Sequence, residues 1–244
     1  MSTPIGNLED ITVRAIRTLL SVDVIACEDT RRTGSLLSEI KKRYASLIEV
    51  SDTSTSRLPP VLFRIDDHTE FQQAPALIQK LKEGKNVALV SDAGTPLISD
   101  PGYLLVSESV KRGIKVVSIP GPSAVLSALA SSGLPTDKFF FLGYPSEKQS
   151  HRINMFRFLS EIFIRPPLAE SRGGLEKITV VFYCAPHKLL QTLKNMQEVY
   201  GDIEIVVTRE LTKVYEEVVK LNVSDALSKF AAPKGEFTIL FRLM

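Results

Sequence analysis

Short unbroken apolar runs alternate along this chain with longer segments in which apolar residues recur every three to four positions. The runs lie at 22–27 (VDVIAC), 87–90 (VALV), 114–119 (IKVVSI), 178–183 (ITVVFY), 203–207 (IEIVV) and 237–241 (FTILF). Runs of this length between polar, Gly and Pro residues predict strands, buried on both faces where the run is continuous. Shorter runs at 47–50, 139–143 and 215–221 predict further strands. The helical period carries Leu8, Ile11, Val13, Ile16, Leu19 and Leu20 on one face, then Leu36, Leu37 and Ile40. It returns over 71–83 despite Pro75, at Leu104, Leu105, Val106 and Val110, and over 124–131, 148–162, 187–199 and 224–230. In the helix at 148–162 the period turns Met155, Phe156, Leu159 and Phe163 inward and Lys148, His151, Arg152 and Arg157 outward. Strands alternating with helices predict an α/β protein with a mainly parallel N-terminal sheet, and strands with few intervening helices near the end predict a mixed C-terminal sheet.

The junctions between these elements hold the chemistry. Residues 91–102 (SDAGTPLISDPG) follow a buried strand with a long, acidic loop containing two glycines. Ligands of open α/β sheets sit beyond the carboxyl ends of strands. The plainer reading is a tight connection whose glycines supply positive φ. The strand at 22–27 stops at Glu28-Asp29-Thr30-Arg31-Arg32, where Asp29 or Thr30 suits a helix N-cap. Glu28, Arg31 and Arg32 are not needed for capping and fall on the same expected ligand edge. Pro4 and Gly6 mark a turn before the first helix, with Asn7 or Asp10 as its cap. Pro120-Gly121-Pro122-Ser123 punctuates another strand-to-helix junction, and Ser123 is positioned to cap a helix of small residues beginning at Ala124. A helix start of this kind offers free N–H groups to an anion. The prolines place a domain boundary near 120, dividing the chain into 1–120 and 121–244.

Composition narrows the classes. Of 244 residues 44% are hydrophobic and 24% charged, with a net charge of +2, which fits a soluble globular protein. No apolar run is long enough to span a bilayer and no signal-like start is present, so a cytoplasmic protein is expected. Cys27 and Cys184 sit far apart in apolar runs and read as reduced thiols; the three histidines form no metal motif, so no metal is expected.

Taken in order, TPIGNLEDIT, EDTRRTGSLL, VALVSDAGTPLISDPG, IPGPSAVLSALASSGLPTDKFFFLGY, APHKLL, RELTK and KGEFTILF resemble the tetrapyrrole methylase superfamily. More narrowly they resemble its ribosomal RNA small subunit methyltransferase I branch. The resemblance covers most of the chain. It implies a two-domain α/β fold with a cofactor cleft between the domains, S-adenosylmethionine as cofactor, homodimers, and 2′-O-methylation of a cytidine ribose in small-subunit (16S) rRNA or a ribosomal particle. Carried over residue by residue, it assigns cofactor contacts to Pro4, Gly6, Asp92, Ala93, Gly94, Thr95, Pro120, Gly121, Ser123, Ala124, Ala185 and Pro186. Gly94, without a Cβ, would let the cofactor approach the backbone.

For such a reaction, positioning supplies about 7–11 kcal/mol and a general base about 10²–10⁴-fold. Alignment is therefore expected to dominate, with Glu28 and Asp29 as candidates for the base. Arg31, Arg32, Lys148, Arg152, Lys188, Arg209 and Lys213 are candidate phosphate contacts. The chain departs from the family pattern in four places: no strand pattern precedes TPIGN, Cys184 stands where Glu is usual, Asp66-Asp67-His68-Thr69-Glu70 only loosely matches the family's His- and Asn-containing run, and 165–174 reads as an added loop. Two other functions fit the pattern less closely: methylation of a tetrapyrrole ring carbon, and RNA binding without catalysis. No Walker-type or G-x-G-x-x-G run supports nucleotide hydrolysis or dinucleotide binding.

Overall fold

The computed structural model describes residues 1–45, 58–164 and 178–242. The chain divides into two compact units, Met1–Ser123 and Ala124–Met244. The expected strand at 47–50 and the loops at 51–57 and 165–174 lie outside the described residues.

The first unit is built on β1 (Val24–Cys27), β2 (Val61–Arg64) and β3 (Val87–Leu89), parallel in the order β2-β1-β3. Val24 stands opposite both Val61 and Val87. All four residues of β1 are buried, because the sheet is covered on both faces. Ile25 and Cys27 pack with Ile11, Ile16, Leu19 and Ile40; Val24 and Ala26 pack with Ile65, Leu77, Ile78 and Leu105. Helices α1 (Val13–Ser21), α2 (Thr30–Arg43), α3 (Glu70–Lys82) and α4 (Tyr103–Lys111) supply those partners apart from Ile11, just before α1, and Ile65, just after β2. That is the two-faced burial a continuous apolar run implies.

Three expectations change here. A short 3-10 turn, Leu8–Asp10, capped by Asn7, precedes α1, and the α1 cap is Thr12, whose hydroxyl accepts from Ala15 N–H at 3.2 Å. Val13 therefore faces outward. The run at 114–119 forms no strand ladder among the described residues. Its Ile119 carbonyl accepts from Ser2 N–H at 3.1 Å, and Ser118 accepts from the Arg14 side chain, while Val116 and Val117 are exposed. β2 was not anticipated: four residues after Pro59-Pro60 are too few to show a period.

The second unit carries a five-stranded sheet in the order β4-β5-β8-β6-β7, with β4 (Phe139–Phe141), β5 (Thr179–Cys184), β6 (Glu204–Arg209), β7 (Glu217–Asn222) and β8 (Phe237–Arg242). β4 pairs parallel with β5; the other pairs are antiparallel, giving the mixed sheet expected. Phe182, Ile239 and Phe241 face a core with Phe156, Leu189 and Met196, provided by α6 (Gln149–Ile164) and α7 (Pro186–Tyr200). On the other face Val181, Val206 and Leu240 pack against Val125, Ala128 and Leu129 of α5 (Ala124–Ser132). Helix α8 (Val223–Lys229) follows β7 directly.

Candidate functional site

Four segments of the first unit meet around the carboxyl ends of β1 and β3. Asp92 N–H donates to Glu28 Oε1 at 3.1 Å, and Asp29 N–H donates to Asp92 Oδ1 at 3.2 Å. Arg32 pairs with the second Asp92 oxygen at 3.2 Å. Thr3 forms an antiparallel bridge with Gly94, and its hydroxyl donates to the Ser91 carbonyl at 3.1 Å. Thr95 shares a hydrogen bond with Ser2 and donates to the Pro122 carbonyl at 3.1 Å. The TPIGN turn, the EDTR junction, the 91–102 loop and the residues after Ile119 are thus one hydrogen-bonded construction. Within the loop Leu97 (φ 70°) and Ser99 (φ 67°) are left-handed without being glycine. Such residues cost about 1–3 kcal/mol each and persist where their surroundings over-determine them.

The carboxylates of this edge have been driven apart in acidity. Hydrogen bonding from the Arg31 side chain and backbone holds Asp29 down at about 2. Its Oδ1 accepts from Arg31 N–H at 2.8 Å as the α2 cap, and its Oδ2 pairs with the Arg31 guanidinium at 2.9 Å. Asp29 is therefore a cap and an ion-pair partner, too weakly basic and too fully engaged to serve as the base expected from the sequence. Glu28 moves the other way, raised by burial and by repulsion from Asp92 and Asp67 against its bond from Asp92 N–H. Asp100 moves furthest. Burial and the charge of Glu28 push it up to about 7, with Asp92 and Asp67 adding repulsion and a Ser91 hydrogen bond opposing them. Asp100 was not singled out in the sequence: it stood inside ISDPG, where flanking Ser, Pro and Gly made it look like turn punctuation.

Gly94 has a second reason to be glycine. At φ +84°, a Cβ there would meet Ile5 Cγ2 at 3.3 Å and the Pro122 carbonyl at 3.9 Å. The packing of its own loop already favours glycine at this position. Gly121 is similar, with a Cβ 3.0 Å from Ser2 Cβ. Even so, Ala93, Pro120 and Gly121 are exposed and carry no bulky side chain. They are open to a ligand's approach, and Ala93 directly follows the half-buried Asp92. That chemistry fits a cofactor with hydroxyls, an amino-acid end and a sulfonium cation. Pro4, Gly6 and Asp92 line a groove of about 390 Å³ together with residues of α2. Ser123 ends the first unit and is half-buried. In the second unit Ala124 opens α5, Ala185 is the N-cap residue of α7 and Pro186 its first position. Beside them the Cys184 thiol is buried and pushed up to about 11.

The candidate phosphate contacts separate into two groups. Arg31 and Arg32 are exposed on α2, Lys148 is exposed before α6, and Lys188 is half-buried on α7. Arg152 is only 1% exposed. Its Nε and Nη2 donate to Asn195 Oδ1 at 2.9 and 2.7 Å, and its Nη1 donates to the Ser146 carbonyl at 2.8 Å. It is a core residue of the second unit, not the outward cation the helical period predicts. Arg209 pairs with Glu217 at 3.5 Å, and Lys213 bridges Glu210 and Glu236 at 3.0 Å each. Both fasten the turn after β6. Missed in the sequence are Lys41, Lys42 and Arg43, exposed in the last turn of α2.

Residues 2–227 match the family of tetrapyrrole (corrin/porphyrin) methylases. The chain is 41% identical to a ribosomal RNA small subunit methyltransferase I of Vibrio cholerae over 98% of its own length and 74% of that protein's. It is 40% identical to the protein of the same name from Thermotoga maritima, over 98% and 95%. Among solved structures, a uroporphyrin-III C-methyltransferase from Thermus thermophilus complexed with S-adenosylhomocysteine superposes with a TM-score of 0.59 at 16% identity, covering 98% of this chain and 94% of that one.

Proposed function

We propose a function from one premise: this chain belongs to the tetrapyrrole (corrin/porphyrin) methylase family and, within it, to the ribosomal RNA small subunit methyltransferase I proteins. The protein transfers a methyl group from S-adenosylmethionine to the 2′-hydroxyl of a cytidine in small-subunit ribosomal RNA. The observation that carries this reading is 41% identity across nearly the whole chain to a relative bearing that name. Bound S-adenosylmethionine supplies a methyl on a sulfonium, activated by a neutral leaving group. The chain supplies position and a proton acceptor.

In this reading the backbone of Ala93, Pro120 and Gly121 holds the cofactor, and the Thr3–Gly94 bridge with the Ser2–Thr95–Pro122 bonds keeps those segments in register. Asp29 caps α2, and the Asp92 N–H fixes the direction of Glu28. Glu28 and Asp100 are the acceptors for the proton released at the ribose oxygen: burial raises both, and the charge of Glu28 raises Asp100 further, to about 7. A homodimer acting in the cytoplasm completes the proposal; no helix among the described residues is long and apolar enough to cross a membrane.

The test is incubation with undermethylated small-subunit particles and methyl-labelled S-adenosylmethionine, followed by nucleoside mass spectrometry. Appearance of 2′-O-methylcytidine is the expected outcome. Label on a precorrin ring instead, or RNA binding with no label transferred, overturns it. Sedimentation equilibrium decides the dimer.

A further inference from the structure

Resting on that RNA reading, we propose that the groove along α2 seats the substrate strand beside the carboxylate edge, with its phosphates on Arg32 and Arg43. The groove, about 390 Å³, runs from Thr3, Ser91 and Asp92 at one end to Glu39 and Arg43 at the other. Arg32, Ser35, Leu36, Glu39 and Arg43 all line it; their spacing of three, four and seven places them on one stripe of the helix. Leu8 and Leu36 give it apolar surface against which a base can lie.

The charge on α2 points to the occupant. The helix carries Arg31, Arg32, Lys41, Lys42 and Arg43 against the single carboxylate of Glu39. Cations suit the last turn of a helix but oppose the dipole in the first, so Arg31 and Arg32 sit where helix stability alone would not place them. Arg32 is 70% exposed, and its partner is Asp92; Arg43 is 55% exposed, and its partner is Glu39. Exposed pairs are worth at most about 1 kcal/mol, so a phosphate displaces Glu39, itself 46% exposed, from Arg43 at little cost. Asp92 is 23% exposed and keeps its oxygen on Arg32, whose exposed guanidinium has further N–H groups for a phosphate. Eleven residues of helix separate the two arginines by roughly 16 Å along the axis. That span is too long for one phosphate and suits a strand lying along the helix. The cofactor fits the groove poorly: it carries no phosphate, and its sulfonium and ammonium would face two guanidinium groups. The TPIGN face of the groove, assigned from the family to the cofactor, thereby becomes the wall against which the RNA lies.

The test uses Ser35→Trp, which fills the groove from an exposed position, and Arg43→Glu, which reverses its far cation, with Arg43→Lys as the conservative control. Three quantities are measured on the full chain: particle binding by filter retention across a salt series, S-adenosylmethionine binding by calorimetry, and melting temperature. Expected are at least tenfold weaker particle binding for the first two variants, near-parental binding for Arg43→Lys, and unchanged cofactor affinity and melting temperature. For Arg43→Glu the salt slope should fall by about one. Loss of cofactor affinity in Ser35→Trp overturns the assignment, since the groove would then hold the cofactor. Unchanged particle binding in both variants overturns it as well. Because binding is the readout, a parent that binds particles but transfers no methyl fails the reading above while this test still decides.

Discussion

The three-stranded sheet of the first unit is wholly parallel and its strands end after three or four residues, whereas the second unit runs six-residue antiparallel ladders from β5 through β8 and β6 to β7. The difference decides where chemistry can collect. Parallel strands point their carboxyl ends to one edge, so the loops after β1 and β3 meet there and bring Glu28, Asp92 and Asp100 together. Antiparallel neighbours send successive loops to opposite ends. Both units hold left-handed residues that are not glycine: Leu97 and Ser99 in the first, Glu210 and Thr212 in the second. In the second unit opposite charges neutralise the strained turn. Lys213 bridges Glu210 and Glu236, and Glu210 Oε1 accepts from Glu236 N–H at 2.9 Å. Gly235 leaves just enough room, since a Cβ there would lie 2.6 Å from Glu210 Cγ. In the first unit the strained loop instead crowds like charges. The second unit's turn answers its carboxylates with a cation, even though Arg209 Nε and Thr212 Oγ1 stay buried without a hydrogen-bond partner among the described residues; the first unit's edge leaves carboxylates facing one another.

The largest effect should come from breaking the satisfied side of this contrast. Asn195→Leu strips the Arg152 guanidinium of the acceptor for its Nε and Nη2 and leaves a buried cation without that partner. The cost should be about 3–5 kcal/mol, read as a fall in the denaturant midpoint at unchanged slope. A loss under 1 kcal/mol would mean that the guanidinium escapes to solvent and that the core is less closed than it looks. Gly102→Val is next. At φ +119° a Cβ would stand 2.5 Å from Leu89 Cδ2, so strain and overpacking together should cost about 3 kcal/mol. Its signature is different: cofactor binding should weaken more than stability alone explains, because Gly102 ends the loop that carries Asp100.

What the sequence could reveal follows from what a pattern can encode. The runs at 22–27, 87–90 and 237–241 were legible because burial on both faces leaves no polar position to confuse the period. The junctions EDTR and SDAGTPLISDPG were legible as neighbours on one sheet edge because they follow such runs, and their order carried the family resemblance. Arg152 was not legible: the period shows which face of α6 it occupies, but not that the face meets Asn195 on α7. The run at 114–119 has strand composition, yet a ladder needs neighbours, and residues 2–3 provide only isolated contacts. Gly94 looked like room for a ligand because a glycine in a loop does not show which neighbour its missing Cβ would meet. Asp100 escaped notice because its basicity comes first from burial and then from the charge of Glu28, far away in the chain, and a loop sequence shows neither.

The smallest effect sharpens the strained side. Asp100 binds a proton in the folded protein up to about pH 7, well above the ordinary range of an unfolded aspartate. Between those values the folded state holds more protons than the unfolded one, so this group's contribution to stability is complete in acid and is lost as pH rises toward and through 7. Asp100→Asn removes the titration. The variant's melting temperature should therefore fall less than the parent's between pH 5 and 8, by a few degrees at most. Glu28 is raised by burial and by Asp92 and Asp67, with Arg32 opposing, so it stays raised in the variant. Methyl transfer at saturating cofactor should then become less steep between pH 6 and 8, with Glu28 alone taking the proton. Identical melting and rate profiles in the two proteins would mean that Asp100 is already ionised in acid and that the carboxylates at this edge do not couple.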